Sequence, residues 1–127
     1  MREKTREEYV EEFNTAAGKK KFSMDVDAFD DSMINCFVEE CQELFEAIGN
    51  YVTHPNEETR KQVCKEWADV QVTLSNIAWY LDIPGDEAFG RVHHSNMTKV
   101  VNGKVFFRDD GKVMKPDTYK APDMKGL

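Results

Sequence analysis

The feature that most constrains this chain is a pair of long apolar periodicities separated by a single turn. From about Asp30 to Val52, Met33 or Ile34, Phe37, Cys41, Leu44, Phe45, Ile48 and Val52 recur at helical spacing. A second series, Val63, Cys64, Trp67, Val70, Leu74, Ile77, Ala78 and Leu81, repeats the pattern in a helix that ends at about Leu81. Between them Pro55-Asn56-Glu57-Glu58 reads as a turn followed by an N-cap and early acids. So short a connection makes the two helices antiparallel neighbours. A lone helix hairpin keeps one apolar side uncovered, and the same hairpin from another copy would complete a four-helix bundle. The expectation is an all-α helical bundle completed by oligomerisation, as a homodimer or homotetramer.

The remaining segments fit around that hairpin. Thr5 with Glu8 has the capping-box form, and predicts a first helix from about Arg6 to Ala17, ended by Gly18. Lys19-Lys20-Lys21 just past it reads as a solvated basic end. Asp25-Val26-Asp27-Ala28-Phe29-Asp30 fails as a calcium loop, because Phe29 stands where an oxygen ligand is required and Asp30 where glycine is. Its aspartates serve better as caps and first-turn acids of the helix that follows. A fourth helix is expected from about Asp86 to Thr98. Val105-Phe106-Phe107 and Val113-Met114 then predict a short C-terminal β-hairpin around Asp110-Gly111, followed by an extended tail from Pro116. The length suits one domain, residues 1–127, with a helical core over about 6–98.

Charge narrows the function classes. Residues 1–98 hold 10 basic against 20 acidic residues, whereas residues 99–127 hold 7 against 4, within a net charge of −7. An acidic body with a basic tail excludes general nucleic-acid binding and permits a small anionic ligand. No window has the apolar length of a membrane span, so no membrane partner is expected and the protein should stay in the cytoplasm where it is made. Cys36, Cys41 and Cys64 are odd in number and lack paired spacing, which predicts reduced thiols; Cys41 and Cys64 fit apolar stripes as small buried groups.

Two acidic pairs carry the chemistry. Residues three apart share a helix face, so Glu40 and Glu43 present two carboxylates on one helix, and Glu66 and Asp69 two on the next. Converged by the hairpin, four such groups repel unless cations sit between them. An oxygen-only set selects Mg²⁺, with Mn²⁺ able to substitute, and Mg²⁺ shares its shell with substrate phosphates. A metal-activated water is the expected nucleophile. A di-iron site wants Glu-x-x-His, but Glu43 and Asp69 occupy the histidine positions. His93 and His94 have no carboxylate partner and receive no catalytic role. Trp67, Trp79 and Tyr80 read as core or subunit interface rather than base-stacking groups.

Glu39-Glu40-Cys41-Gln42-Glu43 followed by Glu66-Trp67-Ala68-Asp69 resembles the Glu-Glu-x-x-Glu and Glu-x-x-Asp signature of the MazG-like all-α nucleoside triphosphate pyrophosphohydrolases. The likeness runs on through Val70 to Ala78 and His94-Ser95-Asn96-Met97-Thr98-Lys99. In Asp110-Gly111-Lys112-Val113-Met114-Lys115-Pro116, Tyr119 and Pro122-Asp123 it is similar to the tail of small single-domain members, including phage-encoded ones, for which the host cytoplasm is the site of action. What the resemblance implies is Mg²⁺-dependent cleavage of a (d)NTP to the monophosphate and pyrophosphate. It implies Glu40, Glu43, Glu66 and Asp69 as metal ligands and catalytic residues. Glu39 joins the implied catalytic set; pointing about 100° away around the helix, it is left to bind a further metal, orient water or simply face solvent. Asn96, Lys99, Lys112, Lys115 and Tyr119 are implied in contacts to phosphate, sugar or base. Two alternatives stand beside this: phosphoribosyl-ATP pyrophosphohydrolase, related in chemistry, and a helical module that binds nucleotide without turnover.

Overall fold

The structure, a computed structural model, describes residues 3–127. Its regular elements are helices α1 (Arg6–Ala16), α2 (Ser32–Thr53), α3 (Glu57–Tyr80) and α4 (Gly85–Met97), with a short 3-10 turn at Val26–Ala28. The chain is thus all-helical, as the periodicities require. Among the described residues, no helix is long and apolar enough to cross a membrane. The chain divides into two compact units, one running to Asp82 and the other from Ile83 to Leu127.

In the first unit α2 packs along α3, and α1 packs on α3 as well. Local sequence sets the ends of these helices. Thr5 Oγ1 accepts from Glu8 N at 3.2 Å to start α1. At its end Gly18 takes φ +72°, a conformation open to glycine at no steric cost, and Lys19 N returns to Asn14 O at 2.9 Å. Asn56 starts α3 with a full capping box: its side chain accepts from Thr59 N at 2.9 Å, and Thr59 Oγ1 accepts from Asn56 N at 3.1 Å. That rigid start follows Thr53 by three residues and returns the chain antiparallel to α2. Of the loop aspartates, Asp25 caps the 3-10 turn through Asp27 N at 3.1 Å. Asp30 accepts from Ser32 N at 3.0 Å at the entry to α2, which begins two residues later than the sequence predicts.

The core sits at one end of this unit. Val10, Met33, Trp79 and Tyr80 are buried together, with Phe22 and Ile77 packed against them. Phe22 lies 5.9 Å from the Tyr80 ring in a stacked arrangement, and Phe29 meets both rings edge-on, at 5.6 Å from Phe22 and 5.5 Å from Tyr80. Hydrogen bonds seal the knot: Phe22 N donates to Tyr80 O at 2.8 Å, Asp30 N to the Tyr80 hydroxyl at 2.8 Å, and Trp79 Nε1 to Glu11. Trp79 and Tyr80 are therefore core, whereas Trp67 is 54% exposed. Much of the α2 and α3 stripes is uncovered too, with Phe45 and Val52 each 71% exposed. Cys64 departs from expectation: it is exposed, because nothing in the single chain covers that part of the α3 stripe. All three cysteines are free thiols.

In the second unit, the segment after α4 is extended but stitched to that helix. Ser95 Oγ donates to Lys120 O at 2.7 Å, Lys120 N to Thr98 Oγ1 at 2.9 Å, and the Arg91 guanidinium to Asp123 O at 3.0 Å and Lys125 O at 2.8 Å. The strands expected around Asp110-Gly111 do not form among the described residues. Around that turn one antiparallel bridge forms, Phe107 with Val113, flanked by Arg108 N to Lys112 O and Met114 N to Phe106 O, both at 2.7 Å, and a separate isolated bridge joins Val101 with Lys104. Two short segments without a third strand or a covering helix gain too little to extend the ladder.

Candidate metal centre

Glu40, Glu43, Glu66 and Asp69 converge as the i, i+3 spacing predicts. Each offers an oxygen, and these four atoms lie within 4.8 Å of one another. The α2–α3 register produces this. Glu40 falls opposite Asp69 and Glu43 opposite Glu66, with Ala47 and Gln62 one turn further along sharing a groove with Glu43 and Glu66. That groove has a volume of about 310 Å³ and takes in Glu46 and Asn50 as well.

Burial is uneven across the four. Glu66 is only 4% exposed, a depth at which a carboxylate normally has full compensation. Its Oε1 accepts from Gln62 Nε2 at 2.8 Å and from Lys65 Nζ at 3.3 Å. Its Oε2 is buried without any hydrogen-bond partner, and so is Oε2 of Glu40. Lys65 also pairs with Asp69 Oδ2 at 2.7 Å, and these two contacts, Asp69 foremost, push its ammonium well above the ordinary lysine range. Desolvation, followed by the neighbouring charges of Glu43 and Asp69, pushes the Glu40 carboxyl up from its usual value. One ammonium against four carboxylates leaves an excess of negative charge around two orphaned oxygens.

Those observations test the fit to a cation. The donor set is oxygen-only and mostly carboxylate, which suits a hard divalent ion such as Mg²⁺ or Mn²⁺ and lacks the sulfur or imidazole that zinc prefers. A cation between the pairs would compensate the desolvation and the like-charge repulsion that raise Glu40. The residues present fit the group.

Glu39 stands outside this set; it is exposed on α2, one position before Glu40. The other expected site residues lie in the second unit, where four of the five come together. Lys99 Nζ donates to Asn96 Oδ1 at 3.1 Å, and the ammonium groups of Lys99 and Lys115 lie 5.6 and 5.1 Å from the Tyr119 ring centroid. Lys112 contributes its backbone to the turn: Lys112 N donates to Asp110 Oδ1 at 3.1 Å and its carbonyl accepts from Arg108 N at 2.7 Å. Glu46, Asn50 and Gln62, which line the groove, escaped the sequence reading. Their signal was available, since Glu46 follows Glu43 by three residues and Gln62 precedes Glu66 by four, continuing the acidic faces. No family model matches the chain, and no match is found among the curated proteins.

Proposed function

We propose that this protein is a Mg²⁺-dependent nucleotide pyrophosphohydrolase of the MazG-like type, cleaving a (d)NTP to the monophosphate and pyrophosphate. The observation that carries the reading is the convergence of four carboxylates, two of them with buried, unpartnered oxygens. When bound, Mg²⁺ supplies charge neutralisation for a polyphosphate and an acidified water for attack on phosphorus. Glu40, Glu43, Glu66 and Asp69 would hold it. Gln62 and Lys65 hold the Glu66 carboxylate by Oε1, and its Oε2 is left buried without a partner. Lys65 holds Asp69 in the same way and offsets part of the charge before a cation arrives. For the second unit the proposed role is contact with the nucleotide through Asn96, Lys99, Lys115 and Tyr119, supported by their grouping around one aromatic ring.

The working form proposed is a homo-oligomer. Its support is the apolar surface left on α2 and α3, where Val38, Phe45, Val52 and Trp67 are each more than half exposed. Monomeric proteins rarely leave such a stripe in water. A second helix pair over it would complete a bundle core that one chain begins at only one end.

Pyrophosphate release from a panel of nucleoside triphosphates, with Mg²⁺ and with a chelator, tests the activity. Glu43→Gln and Asp69→Asn should each lower turnover at least 100-fold while helical content and oligomeric state stay unchanged, because both side chains border the core without filling it. Wild-type activity in either variant would remove the assignment. Preference for phosphoribosyl-ATP over every (d)NTP would move the substrate to that relative, and nucleotide binding without pyrophosphate release would make the chain a binding module.

A further inference from the structure

Two lysines on α3 make different kinds of ion pair. Lys61 pairs with Glu57 at 3.3 Å and Glu58 at 3.4 Å, both more than four-fifths exposed and both on its N-terminal side, the order that favours an isolated helix. Lys65, one turn on, reaches the other way. Its ammonium lies 2.7 Å from Asp69 Oδ2 and 3.3 Å from Glu66 Oε1, and these acidic side chains are only 35% and 6% exposed. With the base N-terminal to the acid, such a pair adds less to helix stability. Its partners are instead two of the four carboxylates whose ligand oxygens lie within 4.8 Å of one another. The Lys65 side chain itself is 61% exposed, and its flexible four-carbon stem lets the charged head move over the rim of the cluster.

A lysine so placed has two electrostatic consequences. The ammonium and a divalent cation draw on the same carboxylates, and like charges about 5 Å apart oppose one another even in water. For charges of +1 and +2 that opposition weakens cation binding on the order of tenfold. Lys65 leaves Oε2 of Glu40 and of Glu66 buried without a partner, so it stands in for a cation only in part. Coupling between two binding events acts equally on both, and a bound cation therefore loosens the hold on the ammonium. A polyphosphate brought to that cation then offers the ammonium new partners, since lysine binds phosphate as a compact point charge. We propose that Lys65 is a resident counter-ion of the metal centre: it lowers the affinity for a free divalent cation and, when cation and nucleotide load together, turns to the phosphates. The inference rests on the four carboxylates being a metal centre and, for the source of the phosphates, on the hydrolase reading.

Calorimetric titration of the full-length protein with Mn²⁺, and of the Mn²⁺-saturated protein with the Mn²⁺ complex of inorganic tripolyphosphate, tests this without turnover. Lys65→Met keeps the length of the stem and removes the charge. Free Mn²⁺ should bind this variant about tenfold more tightly than wild type, and tripolyphosphate about tenfold more weakly. A lost helix contact alone would not move the two affinities in opposite directions. Lys65→Arg, which restores the charge, should return both to within about threefold of wild type, and Lys61→Met should leave both within about twofold, because that charge is spent on exposed acids and screened by salt. Lys65→Gln provides the same comparison should the methionine disturb the fold. Equal or weaker Mn²⁺ binding in the folded variant, or unchanged tripolyphosphate binding, would overturn the inference and leave the metal centre in place. Absence of saturable Mn²⁺ binding in wild type and variant alike would remove the metal centre and this inference together. Failure of every triphosphate to yield pyrophosphate would sink the hydrolase reading alone, because neither titration depends on it.

Discussion

Helix α3 contributes to two regions that treat buried polar groups in opposite ways. At its C-terminal end, Trp79 and Tyr80 sit among Phe22 and Phe29, and every polar handle is used: the indole donates to Glu11, and the Tyr80 hydroxyl and carbonyl accept from Asp30 and Phe22. At its middle, Glu66 is as deeply buried as Trp79, yet Glu66 Oε2 and the facing Glu40 Oε2 are the only buried side-chain oxygens or nitrogens without a partner among the described residues. Folded proteins rarely leave such atoms orphaned without a reason. The aromatic end is complete in itself, and its role is stability. The acidic middle keeps two oxygens without a partner, in a group of four carboxylates that could hold a cation.

The sharpest way to break that contrast is to empty the aromatic end. Trp79→Ala should cost about 3–5 kcal/mol, read as a lower urea midpoint with Mg²⁺ or without, because the lost contacts have no link to the cation. A charge removed from the middle should act in the opposite sense. Glu66→Gln keeps the volume and the contact with Gln62 but deletes one of four like charges, so the metal-free protein should gain on the order of 1 kcal/mol. The gain should come with loss of any Mg²⁺-induced rise in Tm. A protein that is destabilised by Glu66→Gln and still responds to Mg²⁺ would contradict the contrast.

Acid offers smaller tests of opposite sign. The Glu40 carboxyl is held above its ordinary value, so its contribution to stability is fully present below the unfolded pKa and is lost as pH rises through the folded one. The metal-free protein should accordingly melt higher in mild acid than this group's charge at neutral pH permits, and Glu40→Gln should flatten that dependence. At the aromatic end the sign reverses. The Ser32 hydroxyl and N–H, helped by Lys19, hold the Asp30 carboxyl below its usual range, so its contribution is present above the unfolded pKa and is lost as pH falls through the folded one. Ser32→Ala should make that acid loss less steep by an amount near the limit of detection, since Asp30 is partly exposed.

How much of this was legible in the sequence differs between the same two regions. The acidic middle was readable because its order is local: i, i+3 spacing places each pair, and a turn capped by Asn56 and Thr59 sets the helices face to face. The aromatic end was not. Phe22 and Phe29 belong to a loop with no periodicity, and their partner Tyr80 lies about fifty residues away, where no local pattern announces it. The hydrogen bond between Asn14 and Asn76, 62 positions apart, escaped for the same reason. Cys64 misled because a helical stripe predicts which face is apolar, not whether one chain covers it. The segment around Asp110-Gly111 has hairpin chemistry, but its pairing ends where no third strand supports it.

Whether Glu40, Glu43, Glu66 and Asp69 form one cation site is decided by a Mn²⁺ titration followed by paramagnetic broadening of side-chain resonances. Saturable broadening should centre on these four carboxylates, weaken in Glu66→Gln, and be competed by Mg²⁺. Absence of saturable binding, or broadening centred elsewhere on the chain, would contradict the account.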